Sequence, residues 1–187
     1  MKKALLTFFK IALFLCYPFL VFFALSKGVS PRYLSLLLLL ALLLQFKTQN
    51  VKIVRNILIF ICLALFTGLF VFNDALFLQL YPIMISLSLL FTFGLSLKSP
   101  PCMIERFARI KTKKLPSYAV SYCHKVTILW CVFFFFNALV SFYTTFLPLK
   151  WWTLYNGFIS YILIGALFGI EFIFRQIYMK KMEGKKK

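Results

Sequence analysis

Long apolar runs, each separated from the next by a short polar segment, dominate the chain. A helix needs about 20 apolar residues to cross the hydrocarbon core of a bilayer. Six runs reach or approach that length, at residues 4–25, 33–46, 53–72, 75–97, 126–147 and 152–174. The pattern predicts an all-α membrane protein with six transmembrane helices. We expect residues 1–187 to form a single polytopic helical membrane domain, because no repeat or Gly/Ser-rich linker divides the chain.

The composition supports the membrane class. The chain is 63% hydrophobic and 14% charged, whereas soluble domains are roughly 45–50% apolar and about 25% charged. A net charge of +18 would indicate nucleic acid in a soluble protein. Here the basic residues are explained by topology, so no nucleic-acid partner is expected.

The basic residues are distributed very unevenly over the two sides of the membrane. With the N-terminus inside, only Lys27, Arg32 and Lys150 fall on the outer side, and the other nineteen of the 22 Lys and Arg residues fall on the inner side. Cytoplasmic loops of membrane proteins are enriched in Lys and Arg. The bias predicts an even number of spans, with both ends of the chain in the cytoplasm.

One long inner connector, residues 96–125, carries a concentrated group of these charges. Ser99 followed by Pro100 and Pro101 is typical of a helix start, with a capping hydroxyl and prolines in the first turn. Apolar and basic residues then alternate at helical spacing, which predicts a short basic amphipathic helix at about 100–114, ending before Pro116. The apolar residues expected to enter the headgroup layer are Met103, Ile104 and Phe107.

Two interpretations of this connector stay open. It is either a positive segment resting on anionic lipid, or a site in which Glu105 orients Arg106 and Arg109 around a phosphate. Arginine binds phosphate through a bidentate fork. Glu105 and Arg109 lie four residues apart and are expected to pair. Lys125 at the end of the connector is included in the same candidate anion site.

Glu171 is an acid inside the sixth apolar run, where ionisable side chains are costly and usually face a partner or a cavity. Arg175 is four residues further on and lies on the same face of the helix. The Glu171 and Arg175 side chains either extend to the membrane–water interface or complete the candidate anion site on the cytoplasmic face. Asn137 and Asn156 are lesser candidates, and either is also explained by a hydrogen bond to a neighbouring helix.

Other chemistry finds little support. Cys102, Cys123 and His124 do not supply the four ligands of a structural zinc site, and no metal or other cofactor is expected. Asp74 is the only aspartate and falls on the opposite side from His124, which argues against a catalytic triad. Proline kinks after Tyr17 and Tyr81 leave a small lipid transporter or flippase open as an alternative.

Three segments resemble a family of uncharacterised bacterial inner-membrane proteins: "YPIMISLSLLFTFGLSLKSPPCMIERFAR", "LPSYAVSYCHKVTILWCVFFFFN" and "WWTLYNGFISYILIGALFGIEFIFR". The family pattern falls on Tyr81, Pro82, Pro100, Pro101, Ile104, Glu105, Arg106, Ala108, Arg109, Val126, Thr127, Trp130, Cys131, Asn137, Tyr155, Asn156, Gly157, Glu171 and Arg175. Two positions depart from it, since His124 stands where arginine is usual and Ala138 where glycine is usual.

The resemblance implies an inner-membrane location and a role beside fatty-acid-synthase-like genes, in pathways for aryl polyene or xanthomonadin-type pigment lipids. We therefore expect a multi-pass accessory protein of lipid or polyene-lipid biosynthesis. Its basic cytoplasmic face would bind membrane lipid or an acyl carrier protein through a phosphate. The alternative is a membrane-embedded acyl or glycosyl transferase that uses Glu105 or Glu171 as a base, so whether the protein is an enzyme stays open.

Overall fold

The computed structural model describes residues 16–31, 33–34, 63, 66–68, 70–72, 74–112 and 115–184. These residues form helices, turns and short connectors, and none of them lies in a β-strand. The main helices are α1 (Cys16–Ser26), α2 (Leu76–Gln79), α3 (Tyr81–Lys98), α4 (Met103–Lys111), α5 (Ser117–Thr144), α6 (Leu149–Leu154), the π-helix Tyr155–Ile159, and α7 (Ser160–Gly184). The expected all-α class is therefore confirmed for this part of the chain.

Three helical stretches in this part of the chain are long and apolar enough to cross a membrane. They are Leu76–Lys98, Ser117–Thr144 and Leu149–Met182, and they correspond to the fourth, fifth and sixth predicted spans. The predicted spans at 4–25, 33–46 and 53–72 lie largely outside the described residues, apart from segments such as α1. The count of six spans, the orientation and the single domain stay predictions.

Helix α5 extends nine residues beyond the start of the fifth predicted span, which the apolar run placed at 126. Helix α5 starts at Ser117, directly after Pro116, whose carbonyl accepts hydrogen bonds from the amides of Ala119 and Val120 at 2.9 and 3.2 Å. Helical hydrogen bonding does not require an apolar surface, so the helix continues through the polar residues before the apolar run. The first nine residues of α5 therefore belong to the segment predicted as the long connector, residues 96–125.

The amphipathic helix exists, but its predicted N-cap is wrong. Helix α4 begins at Met103, and its N-cap is Cys102 rather than Ser99. The Met103 amide donates to Ser96 Oγ at 2.9 Å, and the Ile104 amide donates to Thr127 Oγ1 at 3.4 Å. The first amides of a helix lack partners within it, and here hydroxyls of α3 and α5 supply them.

The tertiary contacts divide the chain into two compact units. Unit 1 comprises the described residues up to Ile85 together with Ala138–Ile159, and unit 2 comprises Ser86–Asn137 with the described residues from Ser160 onward. The buried core of unit 1 contains Tyr17, Val21, Leu78, Tyr81 and Trp152. The buried core of unit 2 contains Phe93, Val126, Trp130 and Phe134.

Aromatic side chains hold unit 1 together. The rings of Tyr17 and Tyr81 lie 4.6 Å apart, so the two Tyr-Pro pairs of the sequence meet in one packed core. The Tyr17 hydroxyl donates to the Leu78 carbonyl at 3.0 Å, and Trp152 Nε1 donates to the Gln79 carbonyl at 3.2 Å. Each buried polar end thus finds a carbonyl partner, as such rings require.

The π-helix brings α1 close to the chain at Gly157. A Cβ built on Gly157 would stand 3.0 Å from Phe19 Cε2 and 3.3 Å from Pro18 Cβ. Glycine therefore permits this approach, in keeping with the small residues that line helix contacts in membranes. By contrast, Gly165 and Gly169 have open space at the same position, so the GxxxG pattern they form is not a close helix contact in the described residues.

Candidate functional site: the groove of unit 2

Glu105 and Arg109 form the ion pair that their spacing predicts. The Arg109 guanidinium donates to Glu105 Oε1 from Nε at 2.8 Å and from Nη2 at 2.6 Å. The Glu105 side chain is 6% exposed and that of Arg109 is 40% exposed. Glu105 also lies in the first turn of α4, where the helix dipole favours an acid. The ion pair with Arg109 and the position in the first turn therefore explain why Glu105 lies among the basic residues of α4.

Arg106 holds the connector that precedes α4. Its Nε donates to the Pro101 carbonyl at 2.8 Å, and its Nη2 donates to the Ser99 carbonyl at 3.4 Å. The exposed guanidinium thereby organises the Ser99–Pro101 turn. Arg106 and Arg109 are both on α4, and both have structural partners.

The apolar face of α4 is used differently from the prediction. Met103 and Ile104 are half-buried and pack against the core of unit 2. Phe107 and Ile110 are 54% and 83% exposed. The helix is therefore anchored by its first turn, and only its later apolar residues are free for the interface.

A second ion pair lies on α7. Arg175 Nη1 is 3.9 Å from Glu171 Oε2, a looser contact than the pair on α4, and the two side chains are 43% and 10% exposed. The Arg175 guanidinium carbon also lies 5.3 Å from the centre of the Phe172 ring, within the range of a cation–π contact. Glu171 and Phe172 together set the position of this arginine.

Tyr122 is a member of this cluster that the sequence analysis did not identify. Its hydroxyl lies 3.3 Å from both Glu171 Oε1 and the Glu171 carbonyl oxygen, and its ring stacks on Tyr178 at 5.0 Å. A tyrosine 49 residues from its partner gives no local spacing signal. Only the packing of α5 against α7 places the two side chains together.

These helices enclose a groove of about 920 Å³. Its wall combines polar groups with a larger apolar surface, as ligand-binding pockets usually do. The polar side chains are Thr112, Tyr118, Tyr122, Glu171, Arg175 and Gln176. The principal apolar residues are Ile104, Phe107, Val126, Trp130, Phe168 and Phe172.

The remaining predicted site residues lie elsewhere. Lys125 is exposed on α5 and does not line this groove. Asn137 Nδ2 donates to Ser86 Oγ at 2.9 Å, within unit 2 but away from the groove. Asn156 belongs to unit 1, where Ser141 Oγ donates to its Oδ1 at 2.8 Å and its Nδ2 donates to Thr144 Oγ1 at 3.2 Å. Both asparagines form the hydrogen bonds between elements that the simpler interpretation predicts.

The two predicted acids share one neighbourhood. Glu105 and Glu171 both lie within electrostatic range of the buried Cys123 thiol, as do Cys102 and Arg175. Among the described residues, no group of three or more His, Cys, Asp or Glu side chains is placed to hold a metal ion. The cluster's chemistry is therefore that of paired acids, arginines and a tyrosine hydroxyl beside an apolar groove.

Comparison with known proteins adds no assignment, since no family model, curated protein or solved structure matches the chain.

Proposed function

We propose that this protein is a membrane accessory protein whose basic face binds the phosphate of a lipid at the groove of unit 2. The observation that carries the proposal is Arg175. It lines the groove, is 43% exposed, and contacts Glu171 at 3.9 Å and the ring of Phe172. An arginine offers five N–H donors in a fixed fork, so donors beyond the one near Glu171 remain for a phosphate.

The distribution of charge supports a cytoplasmic location for this site. Arg175 is followed on α7 by Lys180 and Lys181, and α4 contributes Arg106 and Arg109. Such clusters beside a membrane helix attract anionic lipid by about 1 kcal/mol for each basic residue. We propose the N-in, C-in arrangement of six spans on the same basis, the positive-inside bias.

Membrane lipid is favoured over an acyl carrier protein as the source of the phosphate. The groove runs along helices α5 and α7, both of which belong to stretches long enough to span a bilayer. A lipid in the same leaflet reaches such a groove directly. We further propose a pathway for acylated or polyene lipids in a bacterial inner membrane, and this part rests only on the sequence resemblance.

A lipid titration of the full-length protein tests the proposal. Protein stripped of lipid in detergent is titrated with phosphatidylglycerol or phosphatidylcholine, and bound lipid is counted by native mass spectrometry. We expect tighter binding of the anionic lipid and about a tenfold loss of that affinity in Arg175→Gln, since a hydrogen bond to a charged group contributes about 1.5–3 kcal/mol. Lys150→Gln removes an exposed cation of unit 1 and is the matched control.

Equal affinity for the two lipids, or equal loss in Arg175→Gln and Lys150→Gln, would overturn the proposal. A carrier protein is the other outcome to separate. If a holo acyl carrier protein displaces phosphatidylglycerol from the wild type but not from a protein lacking Arg175, the phosphate site stands and its assignment to lipid is wrong.

Glu171 supports a second candidate function, a transferase in which this carboxylate acts as a base. Glu171 lines the groove, whereas Glu105 does not, and Glu105 is bonded twice to Arg109. Transferase activity predicts that Glu171→Gln abolishes pathway product while lipid binding survives. An accessory binding protein predicts that lipid binding and product fall together in Arg175→Gln and that Glu105→Gln affects neither strongly.

A further inference from the structure

We infer that the groove of unit 2 holds one hydrocarbon chain of the bound lipid, in the space left open beside Gly169. This inference rests on the proposed function, because it takes the phosphate at Arg175 as the head of the same molecule. It goes further in assigning the ligand class, a phosphate-bearing amphiphile with an extended chain. A free phosphate or a headgroup alone would leave the groove unused.

The dimensions of the groove suit a chain. Its lining residues on α7 run from Phe168 to Met179, and on α5 from Tyr118 to Trp130, which is roughly 17 Å along either helix. One leaflet of the hydrocarbon core is about 15 Å deep, half of the roughly 30 Å total. Arg175, taken as the head site, lies seven residues or roughly 10 Å from Phe168 along α7, so the groove beyond the head site spans about two thirds of that depth.

The polarity of the groove changes along its length. Near one end, Arg175 and Gln176 line it, with Tyr122 hydrogen-bonded to Glu171. Seven residues before Arg175, Phe168 packs at a tilt against Trp130 with ring centres 4.5 Å apart. A charged rim followed by an apolar wall complements a lipid whose head stays at the interface while its chain extends toward the membrane interior.

Gly169 leaves open the space that a chain would need. It lines the groove, and a Cβ built on it would meet no atom within 4 Å. A first side-chain atom at this position therefore meets no other part of the fold. Gly165, one turn earlier on α7, has the same open space but does not line the groove, which makes it a matched control.

Trp130 provides a signal for an occupying chain, because its ring lines the groove although it is only 4% exposed, and bromine quenches indole fluorescence over a short distance. The probe is phosphatidylglycerol with brominated chains, added to full-length protein in detergent. Trp151→Phe removes an indole that is 53% exposed and would report on any surrounding lipid, while Trp152 is fully buried in unit 1 and does not line the groove. Trp130→Phe in that background measures the remaining quenching.

We expect saturable quenching of Trp130, a loss of at least fivefold in its amplitude in Gly169→Leu, and no change in Gly165→Leu. Gly169→Ala adds a single methyl group and should give an intermediate loss, which keeps the test decisive if the leucine variant folds poorly. Equal quenching in Gly165→Leu and Gly169→Leu, or none in the wild type, would show that no chain enters the groove.

The two proposals fail in different ways. If phosphatidylglycerol is preferred over phosphatidylcholine and Arg175→Gln removes the preference, but Trp130 is never quenched, the headgroup site stands and the chain site is wrong. If brominated diacylglycerol, which has no phosphate, quenches Trp130 with the same affinity as brominated phosphatidylglycerol, the chain site stands and the phosphate site at Arg175 is wrong.

Discussion

The two units both bury polar groups, but of different kinds. In unit 1 the polar cluster is uncharged: Asn156 joins Ser141, Thr144 and the Trp152 carbonyl through bonds of 2.8, 3.2 and 3.0 Å. In unit 2 the cluster is charged, with Glu105 buried and Glu171 half-buried beside arginines that are 40% and 43% exposed. The cluster of unit 1 consists of hydrogen bonds among its own residues, whereas the cluster of unit 2 exposes its arginines to a ligand.

This difference separates stability from binding. Neutral hydrogen-bonded groups inside a membrane hold helices together without recruiting anything from outside. Ionisable groups there are costly and usually mark a functional site. We therefore expect substitutions in unit 1 to change mainly the free energy of unfolding, and substitutions at the groove of unit 2 to change mainly lipid binding.

The largest effect is expected at the centre of unit 1. Trp152→Ala removes a fully buried side chain and its hydrogen bond to Gln79, and should lower the free energy of unfolding by about 3–5 kcal/mol. Trp151→Ala, at the neighbouring exposed tryptophan, should change it by less than about 1 kcal/mol. Unfolding by denaturing detergent measures both, and equal losses would remove the assignment of Trp152 to a packed core.

A smaller loss is expected when the uncharged cluster is opened. Asn156→Leu leaves the Ser141 hydroxyl and the Trp152 carbonyl without this partner, and should cost about 1–3 kcal/mol of unfolding free energy. The control is Thr145→Val. The Thr145 hydroxyl donates a hydrogen bond to the Phe142 carbonyl of the same turn at 2.7 Å, so its removal breaks only a local bond. A lipid affinity that fell in Asn156→Leu without loss of stability would contradict the division between the units.

The two types of glycine on this part of the chain sharpen the comparison. Gly157→Leu forces a side chain against Phe19 and Pro18, and overpacking of this kind costs about 1–3 kcal/mol. Gly165→Leu enters open space and should leave stability within about 0.5 kcal/mol of the wild type. Thermal unfolding in detergent compares them, and a stable Gly157→Leu protein would mean that α1 is not held against this glycine.

The smallest effect on stability is expected in unit 2. Tyr122→Phe removes the hydroxyl that contacts Glu171 while keeping the stacked ring, and should cost about 0.6 kcal/mol, the average for such bonds in a membrane protein. Tyr178→Phe removes the other hydroxyl of the stacked pair as a control. A loss above about 2 kcal/mol in Tyr122→Phe would place this cluster among the supports of the fold instead.

The local features of the candidate site were accessible from sequence because they depend on spacing along one helix. The Glu105–Arg109 and Glu171–Arg175 pairs follow from residues four positions apart, and α4 follows from its amphipathic pattern. The partners of α4 did not follow, because Ser96 and Thr127 reach it from two other helices. Ser99 was the nearer hydroxyl in sequence, and the fold left it outside the helix.

The sequence by itself determined the membrane character and the helical class, since apolar length decides whether a helix suits a bilayer. It also determined which residues carry charge, and hence the topology that we predict from them. The tertiary structure decided which charges face a ligand. Contacts between helices distant in sequence placed Tyr122 on Glu171, tied Arg106 to its own connector, and left Arg175 beside an open groove, and no periodicity within one helix encodes such contacts.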